Sequence, residues 1–226
     1  MVDLMLPKLE TVLFDLDGTL VDTNELIIQS FLRTFNDYFP GRYTREAILP
    51  YMGEPLHKQM ARVAPDRVEE LTNTYISYNL SLHDELIRPF PNVGEVIKEL
   101  SEAGVNMGVV TTKRRKTAEM SLRAFGLERY LSILVAYEDV KEHKPAPEPI
   151  EKGITLAAAD PRTTLYVGDS PYDIQAAHAA GTKAAGVAWS LRGPAYLKQF
   201  TPDFLIQDMR DLYMIIGKQD LNSGVK

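Results

Sequence analysis

The sequence contains no cysteine. That removes disulfides, thiolate metal sites and cysteine nucleophiles from consideration at once. It also has no surplus of positive charge: 31 Asp and Glu stand against 25 Lys and Arg, a net of −6. Broad nucleic-acid and anionic-membrane surfaces run on basic excess, so neither partner is expected. A small anion stays compatible, because a few local cations or a metal suffice to hold it. No apolar run approaches the length needed to cross a bilayer. Met1–Lys8 shows no basic region followed by a long apolar stretch and a small-residue cleavage site. A soluble cytoplasmic protein is the expectation. What is present is globular in composition, 226 residues with 45% hydrophobic and 25% charged. That is enough for one large domain, or for one domain carrying a smaller insertion.

The chain changes character along its length. Thr11–Leu16 is a short apolar β-prone run that stops at Asp17-Gly18, a buried strand feeding a loop. Thr23 is a candidate N-cap, followed by Leu26, Ile27, Phe31, Leu32 and Phe35 at helical spacing. Pro40-Gly41 breaks that helix. From Thr44 to about Leu86 everything reads as helix, with pieces at Thr44–Leu49, from Pro55, and from near Pro65. After the stiff connector Pro89-Phe90-Pro91 strands return and alternate with helices. Strands are expected at Asn106–Val110, Ile133–Ala136, Thr164–Val167, Ala184–Val187 and Phe204–Ile206. Helices are expected at Val93–Ala103, Arg115–Phe125, Glu148–Ala158 and Ile174–Ala180. Alternation with short Gly/Pro loops implies a parallel sheet covered on both faces. The fold class is therefore α/β, with residues 1–20 and 89–226 as the core and 21–88 as a small inserted all-helical cap. The tail Lys218–Lys226 is polar and expected to fray.

In an open α/β sheet, ligands bind beyond the C-terminal ends of the strands. Polar residues fall there repeatedly: Asp15 and Asp17, then Thr111 and Thr112, then Asp169 and Asp173, with Lys144 in the loop after Ile133–Ala136. Carboxylates, hydroxyls and one ammonium on a single edge are the composition of a magnesium and phosphate site, since Mg²⁺ prefers hard oxygen ligands. A divalent cation and Lys144 would offset the mutual repulsion of the carboxylates. Asp15 could then attack phosphorus and form an aspartyl-phosphate. Asp17 could protonate the leaving group and later activate water. Thr111, Thr112, Lys144 and Gly18 are the candidate phosphate-holding residues.

Phe14-Asp15-Leu16-Asp17-Gly18-Thr19-Leu20 resembles the first motif of the haloacid dehalogenase superfamily. Val109-Val110-Thr111 resembles its second, Lys144-Pro145 its third, and Gly168-Asp169-Ser170-Pro171-Tyr172-Asp173 its acidic fourth. The resemblance spans essentially the whole chain. It implies a Rossmann-like core, a helical cap that closes over the site, and Mg²⁺ held by Asp15, the backbone carbonyl of Asp17, and Asp169, with Asp173 nearby. Aspartates at both 15 and 17 imply phosphatase rather than dehalogenase chemistry. Segments Asp22–Ile28, Tyr43–Glu46, Leu49-Pro50 and Met52-Gly53 further resemble the PpaX family of bacterial pyrophosphatases. That family implies hydrolysis of inorganic pyrophosphate and a functional link to the kinase/phosphorylase of the phosphocarrier HPr. The alternatives are a phosphomonoesterase such as one acting on phosphoglycolate, a sugar-phosphate mutase, or a non-catalytic binding protein.

Each residue also has a plainer reading. Asp-x-Asp-Gly alone is a common turn. Asp169 and Asp173 could be an N-cap and a first-turn acid. Lys144 could be a solvated loop lysine. The ordered recurrence at strand ends favours the site. Lys113 is a candidate leaving-group contact, against the plain reading that it starts a helix face. Arg42, Arg45, Lys58 and Arg62 are inserted-segment cations that could meet a second phosphate, or simply be solvated. His57, His83, His143 and His178 lack metal-ligand spacing and receive no chemistry. Trp189 reads as packing, and Gly18 and Gly53 as backbone-conformation sites.

Overall fold

The computed structural model describes residues 8–218 and Leu221. The expectations placed on Met1–Lys8 and on the tail past Lys218 lie, apart from Lys8 and Leu221, outside the described residues. The chain folds as two compact units, residues 1–20 with 89–226, and residues 21–88.

The first unit is built on strands that read as continuous apolar runs, as strands buried on both faces must. β1 (Thr11–Phe14) and a later strand Thr164–Gly168 are buried at every position. The short pair β2 (Val21–Asp22) and β3 (Arg88–Pro89) makes a separate two-stranded sheet. The main sheet continues with β4 (Asn106–Val110), β5 (Ile133–Val135), β6 (Thr164–Gly168), β7 (Lys183–Val187) and β8 (Phe204–Ile206). Its order is β5-β4-β1-β6-β7-β8, and every pairing is parallel. The order reverses direction around β1, which is where such sheets hold ligands. Among the covering helices, Val93–Glu102 buries Val93, Val96, Ile97 and Leu100 at helical spacing. Glu148–Leu156 lays Ile150 and Ile154 into a cluster with Leu13, Val110 and Tyr166.

The second unit is all helical apart from its flanking strand pair. It contains α1 (Asn24–Tyr38), α2 (Arg45–Ile48), α3 (Leu56–Val63) and α4 (Val68–Leu86). Short 3₁₀ turns at Leu49–Tyr51 and Pro65–Arg67 carry a proline in their first turn, where its missing N–H costs nothing. Phe31, Phe35, Ile48, Met60, Leu71 and Tyr75 form its core. The rings of Phe31 and Tyr75 lie 4.6 Å apart, close enough for the pair to contribute beyond simple burial.

Three local expectations are corrected. Thr23 occupies the N-cap position of α1, but its hydroxyl is buried and finds no partner among the described residues. Its φ of −109° and ψ of 9° depart from the extended cap conformation, and Asp22 Oδ1 instead accepts from the Asn24 N–H at 3.1 Å. β1 ends at Phe14 rather than Leu16, because the Leu16 carbonyl turns to accept from Leu20. The helix expected from Ile174 begins three residues earlier, at Pro171, with Ser170 as its N-cap.

Candidate active site

Register sets the geometry. Phe14 on β1 is level with Val109 on β4 and Val167 on β6. Asp15 therefore emerges at the same height as the last residues of both neighbours, and its N–H still donates to Val167 O at 2.9 Å. Thr111 directly follows β4 and Asp169 directly follows β6. Backbone approaches here are close. Gly18 has φ +78°, and a Cβ there would stand 2.4 Å from Asp169 Oδ2. Likewise a Cβ on Gly168 would stand 2.3 Å from that of Asp173. Only glycine allows both approaches.

At the centre is Lys144, which precedes a cis peptide to Pro145 and has only 3% of its side chain exposed. Its ammonium donates to Asp15 Oδ1 at 2.8 Å, to Asp173 Oδ1 at 2.5 Å and to Tyr166 Oη at 2.9 Å. Burial alone would lower its pKa; the two carboxylates outweigh this and hold it well above the ordinary lysine value. The Asp173 carboxylate is held from the other side as well. Its Oδ2 accepts from the Ser170 N–H at 3.0 Å and the Ser170 hydroxyl at 2.6 Å, a reciprocal capping box at the start of the helix Pro171–Ala179.

Asp15, Asp169 and Asp173 each present an oxygen within 4.8 Å of the others. Three carboxylates thus face one ammonium. Burial pushes Asp15 up to about 7, partly countered by Lys144 and reinforced by Asp173. Asp169 is likewise raised well above the usual carboxylate range, by burial first and then by Asp173 and Asp15. A cluster short of positive charge and lined with carboxylate oxygens fits a hard divalent cation. Asp173, both of whose oxygens are already engaged, supports Lys144 while staying within that cluster.

Asp17 is held apart from this group. Lys113 Nζ donates to its two oxygens at 2.9 and 3.1 Å, and the lysine side chain is only 7% exposed. Thr111 Oγ1 accepts from the Lys113 N–H at 3.2 Å, which ties the loop after β4 together. Thr112 beside it is half-buried. Of the helical-unit cations, Arg42 lies over the Phe39 and Tyr43 rings, and Lys58 is exposed on α3. Arg45 pairs with Glu25 and Arg62 with Glu54. The histidines are taken up locally: His57 by Thr72 and Glu69, His83 by Asp84, His143 on the Tyr137 ring, His178 by Asp203. Trp189 packs on Phe90, centroids 5.8 Å apart.

Sequence reasoning missed Tyr166, Ser170 and Ser190, whose hydroxyl donates to Asp169 O at 2.7 Å. Tyr166 had a legible signal, a hydroxyl-bearing ring inside an otherwise apolar buried strand, where such a group needs a partner.

The described residues contain no helix long and apolar enough to cross a membrane. Residues 12–187 match the family model for haloacid dehalogenase-like hydrolases. The chain is 45% identical to Pyrophosphatase PpaX of Bacillus cereus (strain Q1) over 215 residues, 95% of this chain and 99% of that protein. Among solved structures, one provisionally described as a haloacid dehalogenase-like hydrolase from Bacteroides fragilis superposes with a TM-score of 0.84 at 26% identity. It covers 91% of this chain and 100% of its own. A predicted phosphoglycolate phosphatase from Haemophilus somnus 129pt gives 0.81 at 26% identity, covering 92% and 97%. The aligned strand ends, the buried lysine and the family match over most of the chain lead to one assignment: this protein belongs to the haloacid dehalogenase-like hydrolases.

Proposed function

We propose that the chain is a magnesium-dependent phosphohydrolase whose substrate is inorganic pyrophosphate. The observation that carries the reading is the buried contact of Lys144 with Asp15, at the strand end where Asp169 also emerges. A lone buried carboxylate would protonate; one held by an ammonium and facing a cation site is kept ionised and oriented as a nucleophile. The choice of pyrophosphate is supported by the name of the Bacillus cereus relative and the near-complete mutual coverage.

In this reading a carboxylate oxygen of Asp15 bonds to one phosphorus, and the bridging P–O bond breaks. The first phosphate departs, leaving an aspartyl-phosphate. Asp17 supplies a proton to the departing oxygen and takes one back from the water that cleaves the acyl phosphate, releasing the second phosphate and restoring Asp15. Thr111 holds phosphoryl oxygens, joined by Lys144 through the N–H that Asp15 gives up as it bonds to phosphorus, with Thr112 and the Gly18 backbone beside them. Mg²⁺, held by Asp15, Asp169 and the Asp17 carbonyl, would neutralise charge on the phosphoryl oxygens. Residues 21–88 act as the cap that selects substrate, with Arg42, Lys58 and Lys113 as contacts for the distal phosphate. Cytoplasmic location is part of this reading, and the tie to the HPr kinase/phosphorylase enters it through the resemblance alone.

A second reading, phosphoglycolate hydrolysis, is favoured by the Haemophilus somnus likeness. A substrate panel decides. Purified protein with Mg²⁺ should release phosphate from pyrophosphate faster than from phosphoglycolate or sugar phosphates, and chelator should abolish release. The reverse ranking overturns pyrophosphate and keeps the class. No release from any phosphate compound by folded protein refutes the hydrolase reading itself.

A further inference from the structure

The geometry points to Tyr166 as a positioning residue that aims the Lys144 ammonium at Asp15; this rests on the phosphohydrolase reading above. Tyr166 lies on β6 with 1% of its surface exposed, and its ring packs among Leu13, Val110 and Ile174. Its hydroxyl has one proton to give. Val110 O accepts it at 2.7 Å, whereas Asp173 Oδ1 is 3.3 Å away. The phenol oxygen is then left to accept, and Lys144 Nζ donates to it at 2.9 Å.

A lysine ammonium has three N–H bonds. In this site they are accounted for by Asp15 Oδ1, Asp173 Oδ1 and Tyr166 Oη; the Val110 carbonyl, at 3.4 Å, is the longest of the four contacts. The phenol therefore stands between Lys144 and that carbonyl, and relays one to the other. Without the hydroxyl, the third N–H would turn to Val110 O, swinging the ammonium away from Asp15. Val110 immediately precedes Thr111, so the same hydroxyl also ties the ammonium to the backbone that presents the Thr111 side chain. A ring that fills the core could do so as phenylalanine; the hydroxyl is what this arrangement uses.

The test compares Tyr166→Phe, Lys144→Met and the double variant. In steady-state hydrolysis with Mg²⁺, Tyr166→Phe should lower kcat about tenfold with KM within about twofold, since misplacement of a catalytic group by a fraction of an ångström is costly to the reaction step rather than to binding. In the Lys144→Met background the same change should cost less than about twofold, because a residue acting through Lys144 has nothing left to position. An unchanged kcat in Tyr166→Phe, or an equal loss in both backgrounds, overturns the proposal. Two magnetic-resonance measurements need no turnover, and so separate this proposal from the hydrolase reading. In wild-type protein the Tyr166 hydroxyl proton should show a nuclear Overhauser contact to a slowly exchanging Lys144 ammonium, and in folded Tyr166→Phe that ammonium should exchange fast. Absence of the contact, or unchanged exchange, overturns the proposal even for an inactive protein, or where the variant fails to fold.

Discussion

Stripped of metal by chelator, the protein should lose stability as pH rises from 5 to 8. Asp15 carries the argument. Its pKa is raised from 3.8 to about 7, chiefly by burial, with Lys144 opposing and Asp173, then Asp17, adding to the rise. Between those two values the folded state keeps a proton that the unfolded chain has released. The folded state therefore binds more protons, and stability must fall with rising pH across that window. Each pH unit is worth about 1.4 kcal/mol per group, so Asp15 alone accounts for roughly 2–3 kcal/mol between pH 5 and 8. Asp169, raised for similar reasons, acts in the same direction. Carboxylates with lowered values, such as Asp139, Asp203 and Asp208, act oppositely but in a lower window. Their stabilisation is present above the unfolded value and is lost only as pH falls through the folded one, so above pH 5 they contribute little slope. Urea titrations at half-unit pH intervals measure this directly. Saturating Mg²⁺ should flatten the profile by favouring the ionised carboxylates, and Asp15→Asn should remove its own share of the slope. A metal-free protein whose stability is constant or rises from pH 5 to 8 would refute the picture of uncompensated carboxylates.

Other outcomes follow from single contacts. Asp15→Asn should fold and show no measurable turnover, a loss of at least about 10³-fold; substantial residual phosphate release would refute the nucleophile. Gly18→Ala forces a side chain into a φ of +78° and onto Asp169 Oδ2. It should cost about 1–3 kcal/mol in urea unfolding and raise the Mg²⁺ concentration for half-maximal activity. Ser170→Ala removes the N-cap and both side-chain contacts to Asp173. A loss of about 1 kcal/mol is expected, together with lower kcat, because Asp173 would no longer be held against Lys144. Lys113→Met frees the Asp17 carboxylate. If the lysine meets the distal phosphate, KM for pyrophosphate should rise more than KM for a small monoester, and equal effects would argue against that contact.

The parallel sheet was legible because its strands are uninterrupted apolar runs; β4 and β8 occupy the expected residues, and β6 and β7 differ by one at an end. The helices Pro194–Leu197 and Asp211–Ile215 were not foreseen, since four or five residues hold too little periodicity to stand out. The two-residue strands β2 and β3 escaped for the same reason. Within the site, Asp15, Thr111 and Asp169 were visible as polar residues at the ends of apolar runs. Lys144 was expected beside the carboxylates and is found on Asp15, but the other partners were not foreseen. The grip of Lys113 on Asp17 and of Tyr166 on Lys144 joins residues far apart in sequence, and no local pattern encodes which side chains a sheet will bring together. Thr23 shows the reverse failure: residue type and position suited a cap, but the backbone there directs the hydroxyl inward.

Asp173 shows why the plain and the functional readings of a residue need not compete. As the third residue of a helix it does what an acid there commonly does, accepting the N-cap N–H while the N-cap hydroxyl engages it in return. That local bond fixes Oδ2 and so leaves Oδ1 aimed at one place. Lys144 occupies that place at 2.5 Å. A carboxylate free to rotate would spend entropy to hold a lysine and would hold it loosely; one clamped by its own helix terminus has little freedom left to lose. The capping box is therefore part of the apparatus that orients Lys144 toward Asp15, and the helix start is placed where it is by the same contact. On this argument Ser170→Ala should weaken Lys144 placement more than helix stability. Ser170→Thr, which keeps the hydroxyl, should restore both, and restoration of stability without activity would show that the cap and the site are separable after all.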